Sequence, residues 1–177
     1  RSVCARVIAA PWYRRAGAVG VYVATDGEVD PSDLLADALQ GNKQVFLPVT
    51  DRQGKSLSFV RYLAETPLRV GAFGIPEPVL VTGTEVLATP RGIDLLLVPL
   101  VGFDRQGGRL GYGGGFFDRF LATPPRPFLV GLAYGFQEVS AIPCEPFDVR
   151  LDAVATEREI LTCGPLPPCG APVDGTQ

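Results

Sequence analysis

The chain alternates apolar runs typical of buried strands with runs typical of helices. The run at residues 93–100 (IDLLLVPL) is apolar almost throughout, as expected for a strand that is covered on both faces. Alternation over residues 57–62 favours an antiparallel or edge strand. The other predicted strands are residues 16–24, 44–49, 128–134 and 149–156.

Two helices are predicted between these strands. The first begins at residues 30–33 (DPSD), where Asp30 can cap the helix and Pro31 suits its first position. Its apolar face is Leu34, Leu35, Ala38 and Leu39, and Gly41 ends it. The second helix covers residues 116–122 and stops before the prolines at 124 and 125. This alternation predicts an α/β fold with an open, mainly parallel sheet flanked by helices, in which ligands bind at the carboxyl ends of the strands.

Composition limits the class of protein. The chain has 177 residues, 46% of them apolar, with 16 Lys and Arg against 19 Asp and Glu, a net charge of −3. These values fit a single compact domain, which we place at residues 1–162 and follow with an irregular Pro/Gly-rich tail at residues 163–177. The acidic balance argues against a nucleic-acid partner. No run reaches the ~20 apolar residues of a membrane span, so we expect no membrane partner and a cytoplasmic protein.

The numbers of His, Met and Cys residues limit the kinds of catalytic and metal site that the chain can form. The chain has no His, which excludes a Ser-His-Asp triad, a Cys-His dyad and a His-ligated metal. It has no Met, so we expect that a segment preceding Arg1 is absent from this sequence. The four cysteines at 4, 144, 163 and 169 lack C-x-x-C spacing, and we expect all four to be reduced.

The chemistry is expected at a glycine-rich loop that follows the most apolar strand. Residues 107–115 read GGRLGYGGG, six of nine glycine. Such a loop lets backbone N–H groups approach an anion closely. From Asp104 to Arg126 there are four Arg and two Asp, a local net charge of +2 that attracts phosphate. The loop matches neither the P-loop nor the dinucleotide fingerprint, so a structural turn stays open beside phosphate binding.

Asp118 follows the loop and has two interpretations. It could complement the positive end of a helix, or it could be a Mg²⁺ ligand that bridges to phosphates held by the loop. A second acid could come from Asp148 or Asp152, although either could only cap a turn. Tyr112 and Phe116 flank the glycines, where aromatic residues usually pack but can also stack on a flat heterocycle.

These segments together resemble the 5-formyltetrahydrofolate cyclo-ligase family, also called methenyltetrahydrofolate synthetase. The matching motifs are residues 98–104 (VPLVGFD), 108–119 (GRLGYGGGFFDR), Glu28-Val29, 73–78 (FGIPEP) and 143–157, which includes Asp148, Asp152 and the ATE ending. The resemblance runs from about residue 5 to residue 160. It implies a three-layer α/β/α fold and a ligase of folate and one-carbon metabolism.

The implied reaction depends on ATP and Mg²⁺. It converts 5-formyltetrahydrofolate to 5,10-methenyltetrahydrofolate through phosphoryl activation of the formyl oxygen and attack by N10, with release of ADP and phosphate. Because the substrate supplies the nucleophile, a site without His is sufficient. We expect a monomer with folate and ATP as its only partners.

The resemblance also implies roles for individual residues. Mg²⁺ would be held by Asp118 and Asp152. The folate would contact Val23, Glu28, Tyr112, Gly113, Gly114, Gly115 and Phe116, although Glu28 alone reads as a solvated turn acid. ATP would contact Arg109, Leu110, Gly111, Tyr112, Gly113, Gly114, Gly115, Phe116 and Phe117.

Two departures keep alternatives open. Many members carry Lys where Gly114 stands, and the family begins with a basic helix, bearing a Lys and an Arg that reach ATP, which this sequence lacks. A non-catalytic relative that binds folate or nucleotide is therefore a second hypothesis. A third is another phosphate-handling enzyme, such as a sugar-phosphate isomerase, with Asp104 or Asp118 as its base.

Overall fold

The computed structural model describes residues 2–25 and 27–164. The α-helices are α1 (Val3–Ala9), α2 (Pro11–Arg15), α3 (Ser32–Gln40) and α4 (Phe116–Leu121). The strands are β1 (Ala18–Gly20), β2 (Gln44–Asp51), β3 (Ser56–Tyr62), β4 (Leu68–Val70), β5 (Pro76–Pro78), β6 (Val86–Leu87), β7 (Leu95–Val98), β8 (Gly102–Phe103), β9 (Arg109–Leu110), β10 (Phe128–Leu132), β11 (Ala153–Ala155) and β12 (Ile160–Thr162). Short 3₁₀ turns cover Ala72–Gly74 and Gly135–Gln137.

Eight strands form one mixed sheet in the order β12-β11-β10-β7-β1-β2-β3-β6. The five strands from β11 to β2 are mutually parallel, and β12 and β3 join them antiparallel. The predicted α/β class and the mainly parallel sheet are confirmed, as is the antiparallel strand at residues 57–62. The hairpins β4-β5 and β8-β9 lie outside this sheet and had not been predicted.

The central strands are buried on both faces, which explains their continuous apolar runs. One face packs against α1, α2 and α3 through Val19, Val45, Leu47, Leu95, Leu97, Val130 and Leu132. The other packs against α4 through Phe46, Phe59, Leu96, Val98, Leu129 and Val154. Successive side chains alternate between these two cores, as the two-residue period of a strand requires. The result is three layers with helices on both sides of the sheet.

Several boundaries differ from the prediction. Helices α1 and α2 were missed, although Val3, Cys4 and Val7 have helical spacing and are buried. The next helix begins at Ser32, so its N-cap is Pro31, which has no side-chain cap, and the predicted N-cap Asp30 lies one residue earlier. Asp30 Oδ1 still accepts the N–H of Ser32 at 2.9 Å. The predicted last strand at 149–156 shrinks to β11, because residues 149–151 hydrogen-bond to the glycine-rich loop instead.

The cysteines do not all behave as expected. Cys4 and Cys163 are free and buried, and burial raises the pKa of the Cys163 thiol to about 11. Cys144 is disulfide-bonded, so the expectation that it is reduced was wrong. Cysteine spacing and domain size indicate whether a protein is rich in disulfides, but they do not predict whether one particular cysteine forms a disulfide. The predicted tail beyond Gly164, which includes Cys169, lies outside the described residues.

In residues 2–25 and 27–164, no helix has the length and apolar character that crossing a membrane requires.

Candidate active site

A cavity of about 810 Å³ opens at the carboxyl edge of the central strands. Tyr22 and Val23 follow β1, Pro99 follows β7, and Pro48 and Thr50 come from the far half of β2, and all five line this cavity. The sheet therefore places the cavity where ligands of open α/β folds are expected. Its volume is within the usual range for small-molecule sites.

The glycine-rich loop forms one wall of the cavity. Residues 108–118 all line it. The backbone N–H groups of residues 111–117 donate no hydrogen bond to any described part of the protein. Unpaired N–H groups beside a cavity are rare unless water or a ligand satisfies them. The loop therefore lines the cavity with seven successive residues whose N–H groups are unpaired within the described protein.

Two glycines of the loop leave space that a side chain would fill. Gly113 has φ of +80°, and a Cβ built there would meet no protein atom within 4 Å. Gly111 is nearly as open, with only the Arg109 guanidinium at 3.8 Å from such a Cβ. Packing explains neither glycine, and the left-handed backbone accounts for Gly113. At both positions the open space would let a ligand approach the backbone closely. Gly114 differs, because a Cβ there would lie 2.7 Å from the Phe116 ring.

Asp104 holds the start of the loop in place. Its carboxylate is 3% exposed and accepts the N–H groups of Gln106 and Gly108, each at 2.9 Å, and that of Ile142 at 2.8 Å. A carboxylate committed to three N–H donors is a structural anchor. Asp104 is therefore unsuited to be the catalytic base that the sugar-phosphate isomerase hypothesis requires.

Arg109 and Asp118 form an ion pair across the loop, with Nη2 2.5 Å from Oδ1. The two side chains are only 9% and 18% exposed. Asp118 Oδ1 also accepts the N–H of Val149 at 3.1 Å, and Oδ2 has no hydrogen-bond partner among the described residues. Arg109 Nε is buried without a partner. The pair thus leaves one oxygen of the Asp118 carboxylate unpaired beside the cavity.

The structure does not bring together the two carboxylates that the resemblance assigns to Mg²⁺. Asp118 lines the cavity, whereas Asp152 lies in a separate depression next to β10. There Arg126 binds the Asp152 carboxylate with both Nη atoms, at 2.7 and 2.9 Å, and the N–H of Leu129 donates to Oδ2. Asp148, the alternative second acid, does line the cavity, and its Oδ2 accepts the N–H of Glu145. Among the described residues, no three His, Cys, Asp or Glu side chains cluster as a metal site would require.

The predicted folate contacts Val23 and Glu28 line the cavity on the side of β1. Glu28 Oε2 accepts the N–H of Thr25 at 2.8 Å, so it is a turn acid as well as a cavity residue. Tyr22 braces the same turn by donating from its hydroxyl to Val29 O. Burial raises the pKa of Tyr22 far above its ordinary value, which keeps that donor protonated.

Comparison with known proteins shows the family of this chain. The model of the 5-formyltetrahydrofolate cyclo-ligase family matches residues 1–157. The chain belongs to this family. The 5-formyltetrahydrofolate cyclo-ligase of Haemophilus influenzae is 41% identical over 141 residues, covering 78% of this chain and 74% of that protein. The Escherichia coli protein of the same name is 36% identical over 162 residues, covering 88% and 86%.

A solved structure shares the fold. The NMR structure of Aquifex aeolicus 5,10-methenyltetrahydrofolate synthetase aligns with a TM-score of 0.78 at 31% identity, covering 98% of this chain and 86% of that one. Both the predicted family and the prediction that the chain is an enzyme, a cyclo-ligase, are therefore confirmed. The isomerase hypothesis is not supported.

Sequence reasoning missed part of the cyclo-ligase cavity. Phe73, Glu77, Phe147 and Arg150 all line it, yet none was assigned a role. Phe73 lies at the tip of the β4-β5 hairpin with φ of +60° and makes an edge contact with the Phe116 ring, 6.0 Å between centroids. Glu77 is 5% exposed and accepts the N–H of Thr50 at 3.0 Å. Phe73 and Glu77 belong to the FGIPEP stretch, one of the motifs of the family resemblance, so the sequence did carry a signal for this wall of the cavity.

Proposed function

We propose that this cyclo-ligase converts 5-formyltetrahydrofolate to 5,10-methenyltetrahydrofolate in the 810 Å³ cavity, at the expense of ATP. The observation that carries the proposal is the row of unpaired N–H groups at residues 111–117, which suits the phosphate oxygens of a nucleotide. Helix α4 has only six residues, so the loop amides contribute more than its dipole. The nucleotide would lie along Arg109 to Phe117.

The cavity residues fit a Mg²⁺ ion that arrives with the nucleotide. Mg²⁺ is commonly bound by one or two carboxylates together with substrate phosphates and water. Asp118 offers such a carboxylate, with Oδ2 unpaired among the described residues. When bound, the ion would neutralise charge on the phosphates. The geometry favours Asp118 as its protein ligand, since Asp152 is held by Arg126 in another depression.

The folate would occupy the side of the cavity next to β1. Val23 and Glu28 line that side, and Tyr112 and Phe116 line the cavity from the loop and the start of α4. Tyr112 is 70% exposed, so its ring is free to cover a flat heterocycle. This arrangement would put the formyl group of the folate next to the phosphates.

The chemistry needs positioning more than acid–base catalysis. The γ-phosphoryl group passes to the formyl oxygen and ADP leaves; N10 then attacks the activated carbon, the C–O bond breaks, phosphate departs, and the N10 proton is lost. The loop N–H groups and Arg109 would stabilise the negative charge on the transferred group. The cavity walls would hold N10 near the carbon and exclude water. We further propose that the enzyme acts in the cytoplasm as a monomer.

Turnover provides the test of this proposal. Protein mixed with 5-formyltetrahydrofolate, MgCl₂ and ATP should develop the absorbance of the methenyl product, with one ADP and one phosphate per product. Omitting ATP, or adding EDTA in excess over Mg²⁺, should abolish the signal. A folded protein that binds both ligands without forming product would refute the proposal and favour the non-catalytic alternative.

A further inference from the structure

The cavity contains a second guanidinium, Arg150, which forms no ion pair among the described residues. Only Arg109 and Arg150 contribute cationic side chains to the described lining of the cavity. Arg109 is paired with Asp118, whereas Arg150 forms no ion pair with any residue in 2–25 or 27–164. Its Nε is buried and lacks a hydrogen-bond partner. A partly buried guanidinium without an ion-pair partner gains when an anion binds its remaining donors.

Arg150 is held beside the glycine-rich loop by the backbone around it. The N–H of Val149 donates to Asp118 Oδ1 at 3.1 Å, and the N–H of Leu151 donates to Gly107 O at 2.9 Å. Arg150 itself donates from Nη1 to Gln106 O at 3.1 Å. These three bonds fix the segment 149–151 to both ends of the loop.

Gly107 makes this close contact possible. It has φ of +81°, and a Cβ there would lie 2.5 Å from Leu151 O and 3.1 Å from Cys163 Cβ. Backbone atoms cannot move aside as the end of a flexible side chain can. The glycine therefore lets the loop and the segment carrying Arg150 pack against each other, which keeps Arg150 in a fixed position relative to the free loop amides.

We propose that Arg150 binds the phosphate oxygens of the nucleotide in this cavity, an inference that rests on the proposed function. Nη1 donates to Gln106 O and Nε is buried, which leaves Nη2 as the donor that can form a charge-assisted hydrogen bond to phosphate. The folate carboxylates are the other anions that could reach the cavity. Arg150 bonds to the loop side, through Gln106, and not to the side that carries Val23 and Glu28, which favours phosphate.

The test compares Arg150→Gln and Arg150→Lys with the unaltered chain. Loss of a charged hydrogen-bonding partner predicts that Arg150→Gln weakens ATP binding by about 10- to 100-fold in titration calorimetry with Mg²⁺ present. Arg150→Lys keeps the charge but loses the planar fork, so its affinity should fall between the two. Sodium tripolyphosphate, which has the phosphates without the base, should lose affinity in parallel with ATP. The KM for 5-formyltetrahydrofolate should change by less than about twofold, since no contact to that ligand is lost.

Arg158→Gln is the matched control, because Arg158 is 74% exposed and does not line the cavity. It should bind ATP as the unaltered chain does. If Arg150→Gln binds ATP as tightly as the unaltered chain, whether or not its melting temperature falls, the inference is overturned. Arg150 would then have only a structural role in holding the loop. A rise confined to the folate KM would also overturn it and assign the residue to the folate carboxylates. ATP binding that depends on Arg150 in a chain without turnover would refute the proposed function and leave this inference standing.

Discussion

The substitution Asp118→Asn is expected to lower turnover by at least about 100-fold, the effect of losing several kcal/mol of charge stabilisation in the transition state. The amide keeps an oxygen for the Arg109 guanidinium and the Val149 N–H but removes the charge that Mg²⁺ needs. The Mg²⁺ concentration for half-maximal rate should rise together with the loss of kcat. Because Arg109 is 9% exposed and loses its counter-charge, stability should fall by about 1–3 kcal/mol, which urea unfolding measures.

Asp152→Asn is the informative comparison. Asp152 pairs with Arg126 outside the cavity, so this variant should lose stability and keep the Mg²⁺ dependence of the unaltered chain. An equal increase of the Mg²⁺ requirement in both variants would show that the two carboxylates act on one ion, as the resemblance implies. Near-normal turnover by a folded Asp118→Asn would remove Asp118 from the mechanism.

The second large effect is expected from Gly113→Ala. The added methyl group would enter the space where Gly113 meets no protein atom, and it would keep phosphate from the neighbouring N–H groups. Loss of one or two charge-assisted hydrogen bonds predicts an ATP affinity about 10- to 100-fold lower. The left-handed backbone at φ of +80° adds a stability loss of about 1–2 kcal/mol. Calorimetric titration with Mg·ATP and urea unfolding separate the two effects.

Gly83→Ala controls for the backbone effect. Gly83 has φ of +87°, and a Cβ there also meets nothing within 4 Å, but the residue lies in a turn away from the cavity. Both variants should lose similar stability, and only Gly113→Ala should lose ATP affinity. If the two variants bind ATP equally well, the open space at Gly113 has no part in nucleotide binding.

Strands and loop could be predicted because their signals are contiguous in sequence. The run at 93–100 yields β7, whose side chains Leu95 and Leu96 enter different cores, and this double burial produces the unbroken apolar pattern. The glycine-rich loop was equally visible, since one stretch of chain carries all its unpaired N–H groups. Helices α1 and α2 have only seven and five residues, and Pro11 separates them. Each segment is too short for its apolar residues to show a helical period.

The rest of the site depends on which segments meet in space. Phe73 reaches the cavity on the β4-β5 hairpin, and Arg150 reaches it because residues 149–151 bond to the loop rather than extend β11. Neither contact follows from spacing along the chain. The same limit applies to Asp118 and Asp152, since sequence order does not say that one lines the cavity and the other pairs with Arg126.

Nucleotide binding in this cavity depends on the loop N–H groups as the site for the phosphates. Amide ¹H–¹⁵N correlation spectra recorded during a titration with Mg·ADP test this directly, residue by residue. We expect the largest shifts at residues 111–117, and we expect exchange of these amides with solvent to slow. Saturable binding that leaves these amides unshifted, with the changes centred elsewhere, would contradict it.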